Sequence, residues 1–525
     1  MSTIEIQNMS FYYSKFYKEI FKDVNLKLHS SWKLGLVGRN GRGKTTLLNL
    51  INNDLQPSTG KIKVPLNTEK FPFAYKENYT KTIDIVKENI ANYHQLENIM
   101  TKCVNNWNKE NSRLYGNVIE KYENLNGYSI NSMIEREFNY IGLAPDTLYR
   151  DFKSLSGGEK QKALLVSLFL KKNSFLLIDE PTNHLDLKGR KNLSRYLSQK
   201  NGFIVVSHDR NFLDGCIDHV LSINKETIYL EKGNFSSWIY NKNIKEGFET
   251  RTKKNIEKQV KILEESANKN RRWSADKEKE KIGCRGNKGA IGSVAARLMK
   301  RSISIERRTN QMLKEKKNLL KNYETAKELY LSQSKLEEDL YIATKDLSFC
   351  YGDKKIIDKL NFKVFKGDRL WVKGKNGCGK TTLLKIISGD LKGTAGKIEK
   401  NSFLNISVGN QNLKWTQGSL NNLLIQSKIS KNKFRNILSY FDLGEEYFDR
   451  PIETFSQGEL KKIDITRALC TDNHLFIWDE PLNFMDILFR TQLEEAILKF
   501  KPTIIFVEHD ETFGKSVANK ILSLR

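Results

Sequence analysis

The 525 residues hold 88 Lys and Arg against 62 Asp and Glu, a net charge of +26, with 39% hydrophobic residues. At about 150 residues per domain this length predicts about three domains with real cores, and the hydrophobic content excludes a disordered chain. So large a surplus points to a polyanion as partner, nucleic acid or an anionic membrane surface; a lysine-rich codon bias is the competing explanation.

Six cysteines, Cys103, Cys216, Cys284, Cys350, Cys378 and Cys470, form no CxxC pair. That argues against a zinc site or a disulfide framework and fits a reducing cytosol. The opening stretch MSTIEIQNMSFYYSK lacks the apolar run of a secretory signal. Runs such as FLLI and TIIFV are of strand length, well short of the ~18 residues a membrane span needs.

In chain order, the first landmark is MSFYY (9–13), then the apolar strand KLGLV (33–37) and GRNGRGKTT (38–46) opening the helical TTLLNLI. GxxxxGK[ST] between a strand and a helix is the context of a phosphate-binding loop. Gly38, Arg39, Asn40, Gly41, Arg42 and Gly43 would wrap backbone N–H groups around phosphates, and the helix N-terminus adds partial positive charge. Lys44 is expected to reach the β- and γ-phosphates, and Thr45, followed by Thr46, to hold Mg²⁺. Residues 95–140 are polar, tyrosine-rich and helical in pattern. SGGE follows with Ser156, Gly157 and Gly158, and then the apolar strand FLLIDE with acids at its end. Asp179 is placed to bind the Mg²⁺ shell and Glu180 to polarise an attacking water. IVVSHD ends another apolar strand at His208, where a histidine can sense a γ-phosphate or serve structure alone.

Residues 241–330 carry 25 basic and 12 acidic residues, half of the net charge. No acid occurs from Lys281 to Ile305, against Lys281, Arg285, Lys288, Arg297, Lys300 and Arg301. Proline-free flanks with sparse apolar residues three or four apart predict helices over about 243–281 and 294–330 paired along one seam. The glycines at 283, 286, 289 and 292 predict a loop between them. Forty helical residues at about 1.5 Å each would project this basic tip roughly 60 Å. Lys and Arg there can neutralise phosphates and approach packed RNA; a solvated spacer is the plainer reading. Trp273 would pack in the helix seam or stack on a base, the seam being favoured. Cys284 reads as a small neutral residue.

Every landmark then returns: LSFCY (347–351), RLWVK (369–373), GKNGCGKTT (374–382), FSQGEL from Phe455, LFIWDE ending at Glu480, and IFVEHD ending at Asp510. Two homologous domains follow. Gly374, Lys375, Asn376, Gly377, Cys378, Gly379, Lys380, Thr381 and Thr382 repeat the phosphate loop. Asp479, Glu480 and His509 repeat the acids and the histidine, and Ser456, Gln457 and Gly458 the SGG turn. Lys44 and Lys380 stand 336 positions apart but Ser156 and Ser456 only 300, so the first copy holds extra residues between these motifs, an enlarged helical subdomain.

This set of motifs resembles the ATP-binding cassette family over residues 1–240 and 340–525. The resemblance implies ATP and Mg²⁺ as cofactors and a head-to-tail sandwich, each ATP lying between one phosphate loop and the other domain's LSGGE-type signature. It makes Glu180 and Glu480 the catalytic glutamates, His208 and His509 the switch histidines, and Asp186 (NHLD) and Asp486 (NFMD) the D-loop acids. Tyr13 and Tyr351 match its adenine-stacking aromatics, or are strand-end core residues. Gln411 in SVGNQN matches the glutamine that completes the Mg²⁺ shell; the first copy has no such Gln, Phe73 being the nearest equivalent. Gln457 replaces a signature glycine and should face the first phosphate loop, so the two sites are expected to turn over unequally.

Two cassettes joined by a charged linker without membrane spans resemble the ABC-F proteins. WKLGLVGRNGRGKTTLL, RRWSADKEKEK, GAIGSVAARLMKRS and IWDEPLNFMD resemble their Lsa-type antibiotic-resistance branch. The fold class implied is α/β: tandem nucleotide-binding domains at 1–240 and 339–525, joined by a helical-hairpin linker at 241–338 with its tip at about 282–293. Also implied is a cytoplasmic monomer with its two cassettes paired, acting on the bacterial ribosome (rRNA and P-site tRNA), with no DNA and no membrane subunit. It would enter the E site with ATP and push its linker toward the peptidyl-transferase centre. Lincosamides, streptogramin A compounds and pleuromutilins would leave, and hydrolysis would release the protein. A sequence ending at Leu524-Arg525 is expected to lack the basic C-terminal extension of some relatives. The alternatives are an ABC-F translation factor unrelated to drugs, a transporter ATPase with a separate membrane subunit, and a DNA-repair or chromosome ATPase; the last usually carries zinc cysteines or longer coiled coils.

Overall fold

The computed structural model describes residues 2–524 except 14–17, 76–78, 184, 225–226, 284–287, 320–332, 335, 376, 410–414, 416, 442 and 484. At 18, 246, 249–250, 252–254, 256–257, 277–278, 280–283, 288–291, 313–319 and 488 only the backbone is described. The chain divides into one unit of Met1–Ile223, Tyr229–Phe235 and Ala326–Arg525, and a second of Asn224–Ile228 and Ser236–Thr325.

The first unit contains both halves of the repeat. In the first half a six-stranded sheet runs in the order Asn67–Phe71, Ser174–Asp179, Phe203–Val206, Lys33–Gly38, His219–Ile223, Ile228–Lys232. The first five strands pair in parallel. Its central strands, such as FIVV, are buried throughout, as helices on both faces of a parallel sheet require. The second half repeats the order as Ile406–Gly409, Leu475–Asp479, Ile504–Val507, Arg369–Lys373, Lys520–Ser523. Each half adds an antiparallel sheet, centred on Thr3–Tyr13 in the first and on Leu340–Tyr351 in the second. Trp371 and Trp478, both 1% exposed, anchor the second core.

The extra residues of the first half form the helices Tyr93–Asn105 and Lys109–Asn124. Buried Tyr93 and Tyr122 knit them, the hydroxyl of Tyr93 donating to Leu125 O at 2.8 Å and that of Tyr122 to Glu97 Oε1 at 2.9 Å. The next helix, Ile130–Ile141, has a counterpart in Lys431–Tyr440. The addition is therefore this hairpin, narrower than the 95–140 expected.

The second unit holds the helices Phe235–Gly283 and Lys288–Leu319. The Ser274 hydroxyl donates to Ala295 O at 2.9 Å and the Ser302 hydroxyl to Ala267 O at 3.2 Å, so the helices run antiparallel. Val260, Ala267, Asn270 and Ser274 face Ala295, Ser302 and Thr309 in the buried seam, at the three-and-four spacing of a coiled coil. Two expectations are corrected here. Gly289 and Gly292 are helical, so the glycine run does not extend the tip loop to 293. An isolated helical glycine costs only about 1 kcal/mol, which packing outweighs. Trp273 is not in the seam: the small residues Ala267, Asn270 and Ser274 occupy it, and Trp273 is 50% exposed with Lys269 Nζ 4.8 Å above its ring. No helix among the described residues is long and apolar enough to cross a membrane.

Candidate nucleotide-binding site

Three loops leave the C-terminal edge of the first parallel sheet side by side, where such sheets place their ligands. Gly43, at φ 87°, caps the helix Lys44–Ile51. A Cβ there would lie 2.5 Å from Ile20 Cγ2, so the loop requires glycine by conformation and by space. Lys44 is buried, its ammonium donating to Gly38 O at 2.8 Å, Arg39 O at 3.2 Å and Asn40 Oδ1 at 3.3 Å. Burial, more than any neighbour, pulls its pKa down. Lys380 repeats the arrangement on Gly374 O at 3.0 Å and Lys375 O at 2.9 Å, beneath Gly379 at φ 97°. Gly377 also takes a left-handed φ of 79°. Cys378 is half-buried beside Gly374, and Thr382 is buried.

Thr45 Oγ1 donates to Asp179 Oδ2 at 2.9 Å, and Thr381 bonds Asp479 in the second half. Burial raises the pKa of both aspartates, against the pull of these threonines. Asp479 Oδ1 is buried without a hydrogen-bond partner. Hydroxyl and carboxylate oxygens with an unfilled acceptor fit Mg²⁺, a hard cation that takes one or two protein carboxylates plus substrate phosphates. Thr45 with Asp179, and Thr381 with Asp479, would hold it there.

Glu180 and Glu480 both adopt left-handed backbone, φ 50° and 49°, held by Glu180 N–H to Val206 O at 2.9 Å and Glu480 N–H to Val507 O at 3.0 Å. Such strain persists where a side chain must be aimed. His208 Nε2 lies 3.2 Å from Glu180 Oε1, and His509 Nε2 3.4 Å from Glu480 Oε1. The two sites then diverge. Burial, reinforced by Asp179, raises Glu180 to about 8. Glu480 is lowered: burial opposes, but His509, Asn483 and Lys380 outweigh it. His208 is driven well below its ordinary value by burial, with Lys44 and Arg490 adding to it.

The second half's turn completes the first site. A cavity of about 610 Å³ is lined by Tyr13, Asn40, Gly41, Gly43 and Lys44 to Thr46, by Asp179, Glu180 and His208, and by Ser456, Gln457 and Gly458. Gln457 thus faces the first phosphate loop. Ser456 caps the helix Gln457–Cys470 in a capping box with Glu459, presenting a helix N-terminus to the cavity, as an anion requires. Asp486 Oδ2 accepts from Asn40 N–H at 3.2 Å across the same boundary. Burial would raise Asp486, yet Lys462, the Phe489 N–H and His208 hold it at about 2. In the first half Ser156, followed by Gly157 and Gly158, caps its helix with Glu159 in the same box, and Asp186 accepts from Gly189 N–H at 2.7 Å.

Tyr13 is 38% exposed and lines the cavity, edge-on to Phe11; Tyr351 is 52% exposed, edge-on to Phe349. Neither is a core residue. Phe71 pairs with Ile178 as Gly409 pairs with Trp478, so Phe73 corresponds to Gln411 by count along the sequence. Gln411, Asn376, Arg285 and Cys284 lie outside the described residues, as do the side chains of Lys281 and Lys288. Arg297, Lys300 and Arg301 are exposed on the second hairpin helix. Sequence reasoning missed Pro72 and Asn183, which line the cavity, and the buried Lys462 that sits 3.7 Å from Asp486.

The family model described as "ABC transporter" matches residues 21–183 and 357–483, both phosphate loops and both acid pairs. The chain belongs to this family. It is an ATPase built of two ABC domains. The ribosome protection protein VmlR of Bacillus subtilis is 27% identical over 507 residues, covering 96% of this chain and 83% of that one. The energy-dependent translational throttle protein EttA of Escherichia coli is 27% identical over 530 residues, covering 96% and 89%. Among solved structures, the archaeal ribosome recycling factor aABCE1, in complex with the stalk protein aP1, matches with a TM-score of 0.58 at 18% identity, covering 98% of this chain and 87% of that one. That likeness speaks to the fold alone.

Proposed function

We propose that the chain is a cytoplasmic ABC-F ATPase that acts on the ribosome and protects it from antibiotics of the peptidyl-transferase centre. The observation that carries the reading is the pairing of cassettes within one chain. The first phosphate loop is completed by Ser456, Gln457 and Gly458, while the segment between the cassettes is a helical hairpin bearing exposed Arg297, Lys300 and Arg301. Neither feature calls for a membrane subunit. Relatives named for translation and for ribosome protection match across nearly the whole chain.

In this reading Lys44 and Lys380 leave their loop carbonyls to meet the β- and γ-phosphates of ATP. Tyr13 and Tyr351 stack on adenine, and Thr45 with Asp179, and Thr381 with Asp479 and Gln411, hold Mg²⁺. The ion supplies charge neutralisation between the phosphates. Glu180 and Glu480 orient and deprotonate the attacking water, and His208 and His509 contact the γ-phosphate. The ATP-bound chain occupies the E site. Lys281, Arg285, Lys288, Arg297, Lys300 and Arg301 neutralise rRNA and tRNA phosphates as the hairpin displaces the P-site tRNA. Lincosamides, streptogramin A compounds and pleuromutilins dissociate, and hydrolysis releases the protein.

The test is co-sedimentation of the Glu180→Gln/Glu480→Gln chain with ribosomes in ATP, followed by drug challenge of a sensitive strain expressing the wild type. Absence of the chain from the ribosome pellet refutes the reading. Ribosome binding without protection from any of the three drug classes leaves an ABC-F translation factor, the second reading, which the throttle relative favours.

A further inference from the structure

Each helix that follows a D-loop carries two neighbouring residues that grip different switch segments. On Leu187–Ser198, Arg190 Nη1 bonds Asp209 Oδ2 of its own cassette at 3.0 Å, and Lys191 Nζ reaches Glu511 Oε2 of the other at 3.2 Å. On Ile487–Phe500, Arg490 Nη1 bonds Asp510 Oδ2 of its own cassette at 3.3 Å. Thr491 Oγ1, next in sequence, accepts from Arg210 Nη2 of the other cassette at 2.8 Å, and Glu494 Oε2 from Arg210 Nη1 at 3.4 Å. Arg210 and Glu511 are homologous, each standing two residues beyond its switch histidine. The contacts Arg210–Thr491 and Glu511–Lys191 are thus related by the internal repeat with the charge of the switch residue reversed, while Glu494, which aligns with Ser194, adds the charge partner of Arg210.

We propose that Arg210 with Thr491 and Glu494, and Glu511 with Lys191, are two charge-reversed latches. They select the pairing of unlike cassettes and tie each switch segment to the opposite D-loop helix. Pairing of two first cassettes would set Arg210 against Lys191, and pairing of two second cassettes would set Glu511 against Glu494. Like charges meet in both cases, and such juxtaposition opposes the wrong partner. The first latch is the more sheltered, its Arg210 and Glu494 side chains 20% and 15% exposed. In the second, Lys191 is 67% exposed, and Lys373 Nζ also approaches Glu511 Oε1 at 3.5 Å, so screening weakens it more.

The first latch also closes a ring around one ATP site. His208 lines the cavity, Arg210 grips the helix Ile487–Phe500, and Asp486 at that helix's start accepts from Asn40 of the phosphate loop. Arg210 and Glu494 are therefore positioning residues for the first site and touch no reacting atom.

The test uses the full chain and the release of a fluorescent, non-hydrolysable ATP analogue with Mg²⁺, so it does not depend on the ribosome reading or on the roles given to Glu180 and Glu480. Arg210→Glu is expected to accelerate one of two release phases about tenfold, and Glu494→Arg alone the same phase. Lys191→Glu should accelerate the other phase by about threefold or less. Combining Arg210→Glu with Glu494→Arg should return the first phase to within about twofold of wild type, the signature of a direct pair. Unchanged phases, equal acceleration of both phases, or failure of the swap to restore would overturn the proposal. Should the reversals fail to fold, Arg210→Gln and Glu494→Gln replace them. A double variant no worse than either single supports the latch, and independent, multiplicative effects overturn it.

Discussion

Glu137 sits on Ile130–Ile141 with its side chain 5% exposed, and it joins the helical subdomain to the helix that follows the first D-loop. Its Oε2 accepts from the Tyr196 hydroxyl and from Lys200 Nζ, both at 2.6 Å. Burial and the Glu137 charge together push the Tyr196 phenol well above its ordinary value, so the phenol serves only as a donor. Glu137→Ala leaves a buried hydroxyl and an ammonium without their acceptor. Removing one partner of a buried pair costs about 4 kcal/mol. Lys200 keeps 23% of its side chain in water, which lowers the expected loss to about 2.5 kcal/mol. Glu137→Gln retains an acceptor for Tyr196 and gives up only the charge, about 1 kcal/mol. At about 3 °C per kcal/mol for a domain of this size, thermal unfolding should show falls near 7 °C and 3 °C respectively. Tyr196→Phe should cost little once Glu137→Ala is present. Equal falls for Ala and Gln, or a fall below about 1 °C for Ala, would refute the account of Glu137 as a shared acceptor.

Gly43→Ala should abolish ATP binding at the first site while leaving the second, because its φ of 87° and the 2.5 Å approach of Ile20 both exclude a side chain; equilibrium titration with labelled ATP should find one site instead of two. Glu459 has its pKa lowered: burial opposes, but bonds from the Tyr447 hydroxyl and from Ser456, with Arg450 nearby, outweigh it. An acid with a depressed native pKa contributes stability above its unfolded value of 4.5 that is lost as pH falls through the native one. The gap in melting temperature between wild type and Glu459→Gln should therefore shrink on acidification from pH 6 toward 3; a constant gap contradicts it.

The chemistry-bearing motifs were legible because each residue type is dictated by what it must contact. A phosphate nest requires glycine at Gly43 and Gly379, where φ is 87° and 97°, and the proposed Mg²⁺ shell would require oxygen, as Thr45 and Asp179 supply. The family resemblance made the pairing of cassettes legible as well, and Gln457 lines the cavity of the first phosphate loop, as the head-to-tail sandwich implied. What failed was local punctuation. The glycines at 289 and 292 read as a break, but helix propensity yields to pairing along a seam of small residues. Trp273, favoured for the seam, lies outside it, and the small residues Ala267, Asn270 and Ser274 take the buried positions. The helical addition was over-extended to 140 because Ile130–Ile141, though polar on one face, belongs to the shared fold. The latches left no trace in any local pattern. Arg210 and Glu494 stand 284 positions apart, and only the closed arrangement of the cassettes brings them together.

The two candidate ATP sites share a backbone and differ in charge, and on the proposed mechanism that difference should order their activity. Ionised Glu480 is supported by His509 and by Asn483, whose side chain donates to Glu480 Oε2. Glu180 Oε1, by contrast, has no hydrogen-bond partner although His208 lies nearby. Before the second site's histidine stands Glu508, whose Oε1 accepts from His509 N–H at 2.9 Å and whose Oε2 accepts from Leu482 N–H at 3.1 Å. In the first site that position is Ser207, bonded to Thr182 at 3.0 Å. The second site thus has a carboxylate fixing the histidine's backbone to the loop after the catalytic acid. A base must be ionised to take a proton from water. His509, Asn483 and Lys380 favour the ionised form of Glu480 despite its burial, whereas burial and Asp179 disfavour the ionised form of Glu180. Glu480→Gln should consequently remove more of the steady-state ATPase rate than Glu180→Gln. Activity left in the Glu480→Gln chain should rise between pH 7 and 8.5, whereas activity left in the Glu180→Gln chain should stay flat. Equal losses with parallel pH profiles would show that bound ATP erases the asymmetry of the two acids.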